Sequence, residues 1–126
     1  MTDEQLIIDN LKSMYKAFED ADREKFDLYL DESVTTWESP LPELLLNKLE
    51  LDRYRDKRDA SGSRPMEVSL TISEEVVTVM EKVGIARYIF TVRVPNTQPV
   101  LNRVTDVLSK SSGGWKIIHH HCEKMN

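Results

Sequence analysis

The hydrophobic period of this chain changes once, and that change dictates its layout. Up to about Lys57, apolar side chains recur at spacings of three and four; from Met66 onward they alternate. The first spacing lines one side of a helix, and the second lines one face of a strand. Helices followed by strands, rather than the two interleaved, argue for an α+β domain with helices packed on one face of a strongly curved antiparallel sheet. The chain's 126 residues suit one such domain, 1–126. A bent sheet capped by helices leaves a cone-shaped cavity between the layers, and function is expected there.

The first helix is expected over residues 3–19, with Leu6, Ile7, Leu11, Met14, Tyr15 and Phe18 as its apolar stripe and Thr2 or Asp3 as cap. Asp20-Ala21-Asp22 ends it, and a shorter helix follows from about Arg23 to Leu30. Val34–Trp37 is β-branched and aromatic, hence a short strand, stopped by Pro40 and Pro42. Leu44–Lys57 is helix-like, with Leu44, Leu45, Leu49 and Tyr54 expected inside and Arg53, Arg55, Lys57 and Arg58 in water. The strands are expected at Met66–Ile72, Val76–Met80, Ile85–Val94, Val100–Ser109 and Trp115–Cys122, with a bend or bulge at Ser73-Glu74 and a Ser/Gly hairpin over Lys110–Gly114.

Composition excludes several classes. Seventeen basic and twenty-two acidic residues leave a net charge of −5, the opposite of what a phosphate backbone selects, so no nucleic-acid partner is expected. No stretch approaches the ~20 apolar residues of a membrane helix. The acidic N-terminus does not read as a signal peptide, and a single cysteine, Cys122, fits a reducing compartment; the expected location is cytoplasmic, away from membranes. There is no glycine-rich phosphate loop and no G-x-S-x-G elbow.

The segment Arg103–Cys122 carries the most chemistry. Arg103, Thr105 and Val107 alternate on one face of their strand, and Ile117, His119 and His121 on one face of the next. If the hairpin closes symmetrically, Thr105 lies opposite His119 and Arg103 opposite His121, giving a shared face with an apolar and a polar end. A one-residue slip would exchange the faces. An arginine turned into a cavity needs an acid or an anionic ligand, because its guanidinium keeps its charge. Glu38 is one candidate partner, and a small organic anion, such as a carboxylate, is the other. Trp37 and Tyr15 complete the expected ligand-binding set, and Glu38, Asp31 and His119 are the candidate acid–base groups. His119 and His121 share a face while His120 opposes them, so the triplet alone supplies two co-facial ligands and no metal site is expected; no cofactor is called for either. Cys122 and its neighbour His121 point to opposite faces, which argues against a Cys–His dyad.

Arg103-Val104-Thr105-Asp106-Val107, followed by Gly114-Trp115-Lys116-Ile117-Ile118-His119-His120-His121, resembles the SnoaL-like branch of the NTF2-like superfamily. The ending His-His-His-Cys is similar to that of the calcium/calmodulin-dependent protein kinase II association domain. Val34–Pro40 and the first helix with Tyr15, Phe18 and Asp22 extend the resemblance over essentially the whole chain. It implies a cystatin-like, cone-shaped α+β barrel with a deep pocket, assembled as a homodimer or larger homo-oligomer. It also places Arg103 at a pocket arginine. Asn47, where many relatives have Gly, and Glu123, where they have Ser, depart from the pattern. The catalytic Tyr and Asp pair of steroid isomerases is not recognised. The expected function is a small oligomeric pocket protein binding an organic anion. The alternatives are an isomerase, cyclase or dehydratase using a cavity carboxylate as base, and a stand-alone association module.

Overall fold

The computed structural model describes residues 1–125. Its elements run α1 (Asp3–Glu19), α2 (Arg23–Asp27), β1 (Leu30–Trp37), α3 (Lys48–Ala60), β2 (Ser69–Met80), β3 (Val83–Arg93), β4 (Val100–Ser111) and β5 (Gly114–Lys124). The α+β reading holds, and the helices lie on one face of a five-stranded sheet. The strand order is β1-β5-β4-β3-β2. β2 to β5 form the expected antiparallel meander, whereas β1 joins β5 in parallel, so the sheet is mixed and remains open.

Local chemistry sets the helix ends. Thr2 caps α1 by accepting from the Gln5 amide at 3.1 Å. At α3 the caps are reciprocal: Asn47 Oδ1 accepts from Glu50 N at 2.9 Å, and Glu50 Oε1 accepts from Leu46 N at 2.8 Å. Asn47 is therefore a capping residue in extended backbone, which explains a side chain at that position. The cap moves the start of α3 to Lys48, later than the apolar pattern suggests.

The stripe Ile7, Leu11, Met14 and Tyr15 of α1 is buried against Ala86, Tyr88, Val104, Leu108, Trp115 and Ile117 of the sheet. α1 crosses β3 so closely that a Cβ on Gly84 would stand 2.8 Å from Ile7 Cδ1. Only Leu51 and Arg55 of α3 are buried, while Leu49, expected inside, is 58% exposed. Arg55 is instead held by Asp27 at 2.8 Å and by Asp52, with Lys48 3.1 Å from both acids. This ion cluster, rather than an apolar stripe, fastens α3 to α2.

Among the described residues the sheet has three irregularities, one of them in β1 between Leu30 and Thr35 where it pairs with β5. The bulge expected near Ser73-Glu74 is present, with Glu74 at φ 55 and a register shift between Ser73 and Val76. The third lies in β5: Leu108 pairs with Ile117, but Val107 pairs with His119, leaving Ile118 as the extra residue. That extra residue reverses the alternation of every side chain after it.

Candidate functional site

The β5 bulge decides which histidine faces the core. Before it, Trp115 and Ile117 point inward and are buried; after it, His120 and Cys122 point inward. The inward residues of β4 are Asn102, Val104, Asp106 and Leu108. The face expected to line the cavity is thus the outer one. Arg103 is 64% exposed and pairs with Glu123 at 3.4 Å, not with Glu38. Thr105 and His121 accompany it on the exterior, as cross-strand neighbours. Trp37 lies beside His121 with ring centroids 6.4 Å apart, also outside. His119 accompanies them, its Nδ1 2.7 Å from Thr35 Oγ1; burial, then its histidine neighbours, lowers its pKa. Asp31 stands apart from the cavity, its carboxylate accepting from the Ser33 hydroxyl at 2.7 Å and amide at 2.9 Å, which lower its pKa. The expected residues Arg103, Thr105, His119 and His121 do share a face, but it is the outer one. The hairpin pairs Leu108, not Val107, with Ile117, so Val104, Asp106 and Leu108 face inward and Arg103 and Thr105 outward, and the extra residue Ile118 then turns His119 and His121 outward as well. Thr105 lies opposite His121 and Arg103 opposite Glu123, not opposite His119 and His121 as expected.

Two expected residues do reach the cavity, Tyr15 and Glu38. The cavity lies between the helices and the concave face of the sheet and measures about 350 Å³, within the ~300–1,000 Å³ of small-molecule sites. Its walls are largely apolar, with Met14, Phe18, Phe26, Leu51, Phe90 and Ile117 among them. Tyr15 stacks on Phe90 at 4.3 Å between centroids, fixing the ring by α1 against β3.

Behind this wall runs a buried polar chain. Tyr88 donates its hydroxyl to Asp106 Oδ2 at 2.5 Å. Its one proton being used, Tyr88 accepts from Tyr15, whose hydroxyl lies 2.7 Å away. The other oxygen of Asp106 meets His120 Nδ1 at 2.5 Å. Asp106 is fully buried, a position a carboxylate occupies only when paired and hydrogen-bonded. Burial opposes charge on His120, but the Asp106 charge and hydrogen bond outweigh it and hold the His120 pKa well above the ordinary histidine value. Nδ1–H therefore donates to Asp106, and on the cavity side the ring is hydrogen-bonded to Cys122. Burial first, and then the Asp106 charge, push Tyr15 and Tyr88 well above the ordinary phenol value, so both remain hydroxyls.

Two further groups converge here. Thr36, 2% exposed and lining the cavity, has an Oγ1 without a hydrogen-bond partner among the described residues. Glu38 follows β1, and its charge contributes to raising Tyr15, Tyr54 and His120, so it stands within electrostatic reach of all three. Cys122 shares its face with His120 and is hydrogen-bonded to it, so the strand does bring a cysteine and a histidine together, against the expectation, because residues two apart share a face. Among the described residues, no three His, Cys, Asp or Glu side chains gather as a metal site. No helix there is long and apolar enough to cross a membrane.

The sequence does carry a signal for the missed residues. Asp106 interrupts an otherwise apolar face between Val104 and Leu108. An acid on such a face needs a partner, and His120 is the one histidine in the triplet on the opposite alternation from His119 and His121.

Comparison with known proteins agrees with this architecture. An NTF2-like protein of unknown function from Pseudomonas putida KT2440 superposes with a TM-score of 0.84 at 14% identity, over 95% of this chain and 84% of that one. The CaMKII hub homology domain of Chlamydamonas reinhardtii gives 0.81 at 22% identity, over 100% of both chains. The association domain of C. elegans CaMKII gives 0.77 at 20% identity, over 94% and 93%. At these identities the likeness establishes the fold. No protein of curated function matches. The sequence itself matches the family model described as a SnoaL-like domain across residues 7–122, nearly its full length, and the chain belongs to that SnoaL-like family.

Proposed function

We propose that this chain binds a small organic molecule in the cavity, holding an anionic oxygen head at the end where His120 and Thr36 meet. The single observation that carries this is the Asp106–His120 couple facing a largely apolar cavity. A charged imidazole at the end of an apolar space serves an acceptor arriving from outside, and so does a buried threonine hydroxyl with nothing to bond. The couple is neutral as a whole, so the head meets the positive end of a fixed dipole rather than a bare charge. Such a donor is strong because water is excluded around it. The test is a thermal-shift and calorimetric screen of small carboxylates. Wild type should be stabilised, His120→Gln should lose at least tenfold in affinity, and Arg103→Ala should bind normally. Equal binding by His120→Gln, or loss in Arg103→Ala, refutes the assignment.

A second reading is favoured by Glu38, which reaches the same space as these donors. In it Glu38 removes a proton next to a ligand carbonyl while the charged His120 stabilises the developing oxyanion. Deuterium exchange at the α-carbon of a bound ketone, abolished by Glu38→Gln, is the expected result. No exchange above the solvent rate excludes it.

Self-association is proposed as well. The β2–β3 hairpin carries Val76, Met80 and Val83, 57%, 60% and 41% exposed, and Trp37 of β1 is 38% exposed at the opposite edge of the sheet. Sedimentation should give a homo-oligomer at micromolar concentration, and a strict monomer refutes this.

A further inference from the structure

Three arginines line one part of the cavity together with Asp22 and Asp59, and one of the three meets no acid among the described residues. Arg23 from the start of α2, Arg58 from the end of α3 and Arg64 from the following loop line the opening. Arg23 is paired with Asp56 at 2.6 Å and lies 3.8 Å from Asp59. Arg58 uses the same Asp59, at 3.3 Å. Arg64 meets no carboxylate among the described residues; its guanidinium donates to the Phe18 carbonyl and lies 4.2 Å from the centroid of the Phe18 ring. Arg58 lies over that same ring, 5.6 Å from the centroid.

Two guanidiniums that cannot lose their protons share one aromatic ring, with a single acid already divided between two arginines. An incoming anion gives Arg64 the acidic partner it lacks among the described residues. The ring and the carbonyl fix the plane of the Arg64 fork, so its remaining N–H groups are oriented for bidentate recognition of a carboxylate or phosphate. Arg64 is only half-buried, so an incoming group reaches it from solvent. Between this opening and His120 the lining is mainly hydrocarbon: Met14, Phe18, Phe26 and Leu51.

We infer that the mouth is a second anion subsite centred on Arg64, and that the ligand is an elongated molecule with an apolar middle and an anionic group, carboxylate or phosphate, at each end. This rests on the reading of the buried end given above, and it adds the selection of the outer group. The mouth contributes charge at a half-exposed position, so its effect is modest and screened by salt.

The experiment is calorimetric titration with octanoate, octanedioate and the ω-phosphonate of octanoate. Octanedioate should bind about threefold to fivefold more tightly than octanoate at low salt. Arg64→Gln should erase that advantage while leaving octanoate affinity unchanged, and Arg64→Lys should retain part of it. A phosphonate advantage larger than the dicarboxylate advantage identifies phosphate as the outer group; the reverse identifies carboxylate. The subsite is refuted if octanedioate binds no better than octanoate, or if its preference persists in both Arg64 variants. His120→Gln separates the two assignments: affinity unchanged for all three probes defeats the buried-end reading, whereas the Arg64-dependent ratio is scored independently. No binding of any probe overturns both.

Discussion

Replacing Asp106 with Asn tests the polar chain at its centre. The side chain is fully buried and accepts from Tyr88 and His120, both at 2.5 Å. Asn keeps the shape and can still bond both neighbours if His120 becomes neutral. What is lost is the charge assistance of two hydrogen bonds, at about 1 kcal/mol each, with a further fraction from imperfect geometry. The expected cost at neutral pH is about 2–3 kcal/mol, or roughly 8–12 °C in Tm for a chain of this size. The pH dependence is more diagnostic. His120 has a folded-state pKa well above its unfolded value, because Asp106 outweighs burial. Its contribution to stability is thus fully present below the unfolded value of ~6.5 and is lost as pH rises through the folded value. In Asp106→Asn burial acts unopposed by that charge and the sign reverses: protonation of His120 then opposes folding, so the variant weakens as pH falls through 6.5. His119, whose pKa burial lowers, adds a slope of this second kind; because the Asp106 and His120 charges also act on it, its share differs between the two proteins and is followed as a separate resonance. Urea unfolding of both proteins from pH 5.5 to 9 measures that difference, and NMR titration of the imidazole protons assigns it. If the gap between wild type and variant is the same at every pH, the His120–Asp106 couple is not the charged pair described here.

Other expectations are simpler. Arg103→Ala, at an exposed pair with Glu123, should change unfolding free energy by no more than about 0.5 kcal/mol, as checked by urea denaturation. Gly84→Ala forces a Cβ to within 2.8 Å of Ile7 Cδ1, whose residue is fully buried, and should cost about 1–3 kcal/mol; truncating Ile7 to Val in the same protein should recover part of it. Arg55→Ala leaves Asp27 and Asp52 with Lys48 alone and should destabilise by about 3 kcal/mol, measured by chemical unfolding. Arg55→Met, which restores the volume over Phe26, should not recover that loss while both acids remain.

The sequence makes the layers legible because layers follow from hydrophobic period, which is a local property. The α1 stripe, the meander and the bulge at Ser73-Glu74 all read directly from spacing or composition. The parallel pairing of β1 with β5 does not, since it joins residues some eighty positions apart through backbone bonds that no side-chain pattern encodes. α3 misleads for a different reason. Its buried face is held by Arg55 with two aspartates, and an arginine counted as wet by type is buried by its partners. Of the site, Tyr15 and Glu38 are legible from their places on α1 and after β1, while Asp106 is visible only as an acid on an apolar face.

The histidine triplet shows why alternation by itself could not choose the site. Three consecutive histidines in a strand divide two to one between the faces whatever the register, so the sequence fixes only that His119 and His121 act together and His120 acts alone. The pair looks like the stronger candidate by number, and Arg103 and Thr105 join it across the strand. The alternation of β4, with Val104, Asp106 and Leu108 inward, turns Arg103 and Thr105 outward, and the bulge at Ile118 sends His119 and His121 out beside them while it delivers the single histidine to Asp106. Chemistry favours the same outcome. A buried face tolerates one imidazole matched to one carboxylate, whereas an arginine and two imidazoles would need more acids than Asp106 and Glu38 supply there. On the exterior, water and Glu123 solvate that set at little cost. Deleting Ile118 would remove the extra residue and leave Ile117 inward, His119 outward and His120 inward, so His120 keeps its place beside Asp106. The inner Asp106 and the bulge therefore favour the same histidine, one by charge and the other by register.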